Sequence, residues 1–279
     1  MSAVQGFVVA VLQGATELFP VSSLGHAVIL PGLLGWHIDP RTFLPFLVML
    51  HLGTAVALLG YFNQDWWLLA LGAVGRLDEQ RSKESRHIWV LLAVATVPAG
   101  ILGLGLGHKL RDLFGVPLYA ALFLVANGVL LLVGERLRGK VREGAGDTVA
   151  GLSYMDALVI GAWQSLALLP GISRSGATIV GGLLRGIDHA TSAHFSFLIA
   201  TPIILLAALK EVPKLLHAGL PAGTFEMAAA AAVVAGMVAY ASTAFLMRYF
   251  RDHDDWALNP FAYYCFVVGA GSTAWLALA

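Results

Sequence analysis

Apolar residues in this chain come in runs, and the run lengths predict two kinds of element. A helix needs about 20 residues to cross a bilayer. The runs over 43–62, 88–107, 117–134, 193–210, 225–247 and 259–278 approach or reach that length and read as transmembrane helices. Those over 4–12 and 27–35 are too short, and they flank a polar tip with glycine and proline that runs from Gln13 to His26. The same form returns over 154–186, with its tip at 170–178. Two short arms around a polar tip predict a re-entrant helical hairpin, whose irregular backbone is tolerated at membrane depth only inside protein or beside a wet cavity.

The order of these elements predicts an architecture. Each half of the chain, about 1–140 and about 150–279, holds one hairpin and three spans. Pro20-x-x-Ser23-x-Gly25 precedes Pro170-x-x-Ser173-x-Ser175 by 150 residues, and Phe46-Leu47 precedes Phe197-Leu198 by 151. Three spans is an odd number, so the second half enters the membrane upside down relative to the first. The expected fold is a single all-α integral membrane domain built as an inverted-topology repeat, which places sites near the midplane where the repeats meet. The two hairpins would enter from opposite faces and bring their tips together.

Composition agrees with a membrane protein and narrows its partners. The 279 residues are 58% hydrophobic and 12% charged, where a soluble domain is nearer a quarter charged. Seventeen Lys and Arg balance seventeen Asp and Glu, which argues against a nucleic-acid partner. The single cysteine, Cys265, lies in an apolar run and cannot form an intramolecular disulfide. No basic segment precedes the first run, so no cleavable signal is expected. The charged loops 64–87 and 135–153, with Arg185, Arg248 and Arg251, put eleven Lys and Arg on one side; Arg41, Lys109, Arg111, Lys210 and Lys214 put five on the other. The positive-inside rule makes the first side cytoplasmic and turns both termini and the mouth of the first hairpin outward.

The tips carry the chemistry, because ionisable residues at membrane depth are functional candidates by default. In the second tip, Arg174 stands among Ser173, Ser175 and Thr178 with Gly171 and Gly176. Hydroxyls, exposed N–H groups and a planar guanidinium together read as an anion cradle, although an arginine bonded to helix carbonyls would look the same. Gln164, on the arm leading in, offers one polar contact to a ligand or to a helix. In the first tip, Gln13 and Glu17 share a helix face at i, i+4. Their oxygens are hard ligands suited to Mg²⁺ or Ca²⁺; Glu17 equally suits proton transfer or a pair with Arg174. Ser22 and Ser23 add hydroxyls, and His26 follows Ser23 by three residues. An imidazole there activates a hydroxyl or protonates a leaving oxygen, unless it is a satisfied core histidine. His51, in the middle of the first span, reads as structural. Acid, hydroxyl, imidazole and guanidinium are the groups that phosphoryl chemistry uses. No Walker-type loop is present, and no G-x-G-x-x-G opens a helix after a strand, so nucleotide chemistry is not expected.

Gln13-x-x-x-Glu17 followed by Pro20-Val21-Ser22-Ser23-x-Gly25-His26 resembles the first signature of the bacterial undecaprenyl-diphosphate phosphatases, and Pro170-Gly171-x-Ser173-Arg174-Ser175-x-x-Thr178 resembles their second. The similarity covers essentially the whole chain. It implies a multi-pass enzyme of the bacterial inner membrane that hydrolyses the fifty-five-carbon isoprenoid diphosphate to the monophosphate, recycling the lipid carrier of cell-wall synthesis and conferring bacitracin resistance. The resemblance also implies a divalent cation, with Gln13 and Glu17 holding it, or Glu17 activating the nucleophile. Ser23 would be the nucleophile with His26 as acid/base partner, and Arg174 would grip the diphosphate with Ser173, Ser175 and Thr178. Leu24 departs from the pattern, where many relatives carry Thr. The alternative from another class is a transporter of the lipid phosphate, since inverted repeats with broken helices also build transporters. Oligomeric state is left open, a homodimer included.

Overall fold

The computed structural model describes residues 1–139, 148–217 and 223–278, and among these all regular structure is helical. Two short helices, α1 (Ala3–Thr16) and α2 (Ser23–Leu33), open the chain, followed by α3 (Pro40–Tyr61), α4 (Asn63–Ala73), α5 (Glu79–Arg111) and α6 (Pro117–Arg136). A second short pair, α7 (Tyr154–Gln164) and α8 (Arg174–Leu184), precedes α9 (His189–His217), α10 (Thr224–Asp252) and α11 (Asn259–Leu278). Six of these helices, α3, α5, α6, α9, α10 and α11, are long and apolar enough to cross a membrane. The chain is an all-α, multi-pass membrane protein.

The segment 64–87 differs from the charged loop expected of it. Asn63–Ala73 is helical, and α5 begins at Glu79 rather than near 88. The run Trp66-Trp67-Leu68-Leu69-Ala70-Leu71 forms a helix too short to span. It is tied to α5 by a hydrogen bond from Ser85 Oγ to the Leu68 carbonyl (3.3 Å) and one from Trp89 Nε1 to the Leu69 carbonyl (3.1 Å). Trp67 is left exposed, in keeping with the preference of tryptophan for the membrane interface. Lys140 and Arg142 of the second basic loop lie outside the described residues.

In lipid, helices gain little from hiding apolar surface from one another, so small residues that allow close approach hold them together. The helix α10 buries Ala228, Ala231, Ala232, Ala235 and Ala239, and packs on α3 and α1. Gly53 of α3 lies so near the Ala232 backbone that an added Cβ would overlap it. Elsewhere α5 packs on α7, α3 on α9, and α6 on α11, with α6 also touching both α2 and α8. That last position makes α6 the support for both short pairs.

A second buried charge network closes one end of the bundle. The Glu135 Oε2 atom accepts from the Leu258 amide (2.9 Å) and sits 3.0 Å from His189 Nε2, while His189 Nδ1 lies 3.0 Å from Asp254 Oδ1. Arg138 donates to the Asp254 carbonyl and pairs with Asp255. The network ties α6 and α9 to the turn between α10 and α11. Hydrogen bonding to His189, with added attraction from His189 and Arg138, holds the Asp254 carboxyl below its ordinary value near 3.8. A lowered carboxyl contributes stability above its unfolded pKa and loses it as pH falls through the folded one. Resistance to thermal unfolding in detergent is therefore expected to weaken below about pH 4, and Asp254→Asn to flatten that acid limb.

Candidate functional site

Both short pairs end in turns that aim the start of a helix at one point. Ser22 caps α2, its hydroxyl accepting from the Gly25 amide at 3.2 Å, and it holds φ 67°, ψ 95°. A serine in that region is strained, and such strain gathers at functional sites. Ser173 caps α8 in the same way, accepting from the Gly176 amide at 3.1 Å. Before it, Gly171 adopts φ +104°, and a Cβ there would lie 2.8 Å from Phe123 Cβ and from the Leu124 amide nitrogen. The two turns touch through glycines: a Cβ at Gly25 would lie 2.9 Å from Gly171 Cα.

Polar bonds then join one turn to the other. Ser175 Oγ donates to the Phe19 carbonyl at 3.1 Å. Asn127 of α6, fully buried, donates from Nδ2 to the Pro20 carbonyl (2.8 Å) and accepts at Oδ1 from the Ser173 amide (2.9 Å). One side chain thus fixes both turns to a common support. Asn127→Leu leaves a buried carbonyl and a buried N–H without partners, at a cost of about 2–5 kcal/mol. The expected result is a lower unfolding temperature in detergent together with lost activity.

Glu17 is the centre of the site. Its Oε2 accepts from Ser23 Oγ at 2.5 Å and from Gln13 Nε2 at 3.0 Å, and lies 3.5 Å from His51 Nε2. Its Oε1 lies 3.6 Å from Arg174 Nη2, and the guanidinium also donates to the Ser196 carbonyl at 3.2 Å. A carboxylate and a guanidinium buried together compensate one another, yet the pairing is incomplete. Arg174 Nη2, Gln13 Oε1 and Gln164 Oε1 are buried without hydrogen-bond partners. Buried polar atoms are nearly always paired, so this concentration of unmatched donors and acceptors marks a place built for something else.

These groups head a cavity of about 690 Å³. Glu17, Ser22, Ser23, His51, Gln164, Ser173 and Arg174 form its polar end. Its walls are apolar, from Leu47 and Val48 of α3, Gly103 of α5 and Ile204 of α9. Leu104 and Leu206 line it while remaining exposed on the outside of the bundle, so the cavity opens sideways. An apolar groove ending in a carboxylate, a hydroxyl and a guanidinium fits an amphiphile with a long apolar tail and an anionic head.

The residues singled out in the sequence divide into two groups. Ser22, Ser23, Glu17, Arg174, Ser173 and Gln164 reach the cavity; Gln13 stands behind Glu17. Gln164 also donates from Nε2 to the Ala95 carbonyl at 3.3 Å. Ser175 and Thr178 do not line it. They lie on the inner face of α8, where Thr178 Oγ1 is engaged with the Arg174 carbonyl (2.9 Å) and with Ser196 Oγ (2.6 Å). The hydroxyls of these two residues hold the turn in shape. His26 is not brought to Ser23 either: Nδ1 meets the Ser22 carbonyl at 2.7 Å and Nε2 meets the Tyr264 hydroxyl at 2.8 Å. Its ring braces the first turn against α11. Among the described residues no group of three His, Cys, Asp or Glu stands together as a metal cluster.

A profile of the family described as bacitracin resistance protein BacA matches residues 6–271. The chain belongs to that family. A Granulibacter bethesdensis protein named undecaprenyl-diphosphatase is 60% identical, over 99% of this chain and 97% of its own length. Proteins of the same name from Gluconacetobacter diazotrophicus and Acidiphilium cryptum are each 56% identical, over 98% and 94% of this chain.

Two functional positions of this BacA family member were missed in the sequence. Asn127 sits in an apolar run more than a hundred residues from one turn and nearly fifty from the other, and its only local signal is an amide in a membrane span. His51 reads as structural in the sequence, yet it faces Glu17 from inside the cavity. Its membrane depth was the available clue.

Proposed function

We propose that the chain is an undecaprenyl-diphosphatase that releases inorganic phosphate from undecaprenyl diphosphate and leaves undecaprenyl phosphate. The single observation that carries this reading is Ser23 Oγ hydrogen-bonded at 2.5 Å to Glu17, with Arg174 on the other carboxylate oxygen, at the head of a laterally open apolar cavity. The isoprenoid lies along the apolar walls and continues into the bilayer. Its diphosphate reaches the N-terminal ends of α2 and α8, where free N–H groups and the helix dipoles favour anions.

The chemistry follows from the contacts. Ser23 Oγ attacks the terminal phosphorus while Glu17 takes its proton, the role of a general base. The bond from that phosphorus to the bridging oxygen breaks, and undecaprenyl phosphate leaves with the electron pair. Arg174, whose Nη2 has no hydrogen-bond partner and lies 3.6 Å from Glu17 Oε1, neutralises charge on the non-bridging oxygens, where positioned cations have most effect. Glu17 gives the captured proton to the departing phosphate. Water then attacks the phosphoserine with Glu17 again as base, and that proton passes from Glu17 to Ser23 Oγ as the P–O bond breaks and inorganic phosphate leaves. The second step reuses the groups of the first.

Glu17 and Gln13 suit a divalent cation. The buried, unpartnered Gln13 Oε1 is a hard oxygen donor with no other task among the described residues, and Mg²⁺ or Ca²⁺ are bound by such oxygens. Bound there, the cation would supply further neutralisation of phosphate charge.

The capping pattern supports an inverted repeat of two re-entrant pairs. Capping boxes start α1 at Ser2 with Gln5 and α7 at Ser153 with Asp156, 151 residues apart. Ser22 and Ser173 cap α2 and α8 at the same separation. The packing is reciprocal, α1 on α10 of the second half and α7 on α5 of the first. In this register Gln13 pairs with Gln164 and Ser23 with Arg174, one residue away from the alignment of Pro20 with Pro170. The excess of Lys and Arg in the basic loops supports a topology with the termini and the mouth of the first pair on the outer side of the bacterial inner membrane.

The test is phosphate release from undecaprenyl diphosphate by detergent-purified protein, with and without EDTA. Release that EDTA suppresses is expected. A carrier would instead move intact headgroup across a bilayer and release no phosphate, and that outcome would replace the hydrolase reading.

A further inference from the structure

Within that reading, we propose that His51 is a nitrogen ligand to the divalent cation at Glu17. The observation is an imidazole nitrogen and a carboxylate oxygen that face one another, with no well-formed hydrogen bond between them. His51 Nδ1 lies 2.7 Å from the Leu47 carbonyl, the i−4 oxygen of its own helix, which fixes the ring proton on that nitrogen. That leaves Nε2 facing Glu17 Oε2, 3.5 Å away. That is too long for a well-formed hydrogen bond, and it is a spacing that two ligands of one ion adopt.

Around this gap the donors are of the right kind. Gln13 reaches Glu17 Oε2 through its amide nitrogen and leaves Oε1 buried and unpaired. The Ser23 hydroxyl shares the same carboxylate oxygen. Donors held about 2.1 Å from one ion at octahedral or tetrahedral angles lie about 3.0–3.4 Å apart, close to the Nε2–Oε2 separation. The side chain of His51 is 21% exposed, and it lines the cavity that would admit the ion.

An imidazole donor changes which ions the site tolerates. Oxygen alone suits Mg²⁺ and Ca²⁺, whereas imidazole extends the range to the transition metals. Mn²⁺, which oxygen donors alone also hold, is bound either way and serves as a paramagnetic reporter of a nitrogen ligand. His51 would also orient Glu17, because a ligand nitrogen on the ion keeps Oε2 turned toward Ser23.

The experiment uses the full-length protein in detergent, purified without a histidine tag and loaded with one equivalent of Mn²⁺ alone. Pulsed electron paramagnetic resonance reads directly coordinated nitrogen. A nitrogen coupling is expected in the parent chain, altered when the histidines carry the heavy nitrogen isotope, and absent from His51→Gln. That variant should still bind Mn²⁺ through Glu17 and Gln13, about tenfold or more weakly. Bound Mn²⁺ without a nitrogen coupling, or a coupling that survives in His51→Gln, would overturn the assignment and leave His51 as an ion-pair partner of Glu17. Phosphate release measured on the same samples separates the two levels of the account. Hydrolysis indifferent to EDTA, with no Mn²⁺ bound, removes the cation from the reaction and His51 from its ligands, while absence of hydrolysis removes the phosphatase reading itself.

Discussion

Glu17→Gln is expected to lower kcat for phosphate release by roughly three orders of magnitude, within the range that loss of a general base commonly costs. The amide keeps the size of the side chain and an oxygen that accepts from Ser23. It loses the basicity that takes the Ser23 proton and the charge that faces Arg174 at 3.6 Å. Removing one partner of a buried pair also leaves an uncompensated cation. The variant should therefore be less stable, although the unpaired guanidinium keeps its hydrogen bond to the Ser196 carbonyl. Turnover and unfolding temperature measured together separate the two effects. Turnover within a few-fold of the parent chain would show that Ser23 is not activated by this carboxylate.

Arg174→Lys is the second large effect, expected to lower kcat by about 10²–10³, the loss typical of a removed transition-state donor. Arginine reaches two ways here: Nη2 toward Glu17 at 3.6 Å and Nη1 to the Ser196 carbonyl at 3.2 Å. Lysine carries the charge at a single point and cannot make these contacts at once. Because α8 begins at this residue, the helix N-terminus still attracts anions, so substrate should continue to bind. A KM that changes less than kcat is expected. Loss confined to KM would mean that the guanidinium holds the ground state and not the transferring phosphate.

What the sequence made legible follows from the kind of signal each feature sends. Hydropathy is a one-dimensional quantity, so the long runs marked the six long helices and the short runs marked α1, α2 and the second short pair. It failed at Asn63–Ala73, where an apolar helix too short to cross sits beside charged residues that dominate the segment. The motifs pointed to the family, and the profile and relatives agree. Glu17, Ser23 and Arg174 share the cavity because both turns close on glycines, a property visible in Gly25 and Gly171.

Side-chain direction was less accessible. The hydroxyls of Ser173, Ser175 and Thr178 look alike in the sequence. Ser173 lines the cavity but spends its hydroxyl on capping α8 and on Ser175 Oγ at 3.0 Å, and the other two point inward because the turn that starts α8 sets their faces. His26 lies three residues after Ser23, but the helix that begins at Ser23 carries the ring toward Tyr264, 238 residues further along. Asn127 and His51 act across long separations from within apolar helices. No local pattern announces such contacts; they exist only once α3 and α6 have packed.

The measurement that bears most directly on this account is phosphate release by Ser23→Ala beside the parent chain, at saturating undecaprenyl diphosphate and divalent cation. Alanine removes only the hydroxyl at the start of α2, and the Ser22 cap that holds the turn remains. If Ser23 is the group that attacks phosphorus, release falls to the background of a protein-free control, with the unfolding temperature nearly unchanged. A tenth or more of parental turnover would contradict it, and would assign the attack to a water molecule activated by Glu17.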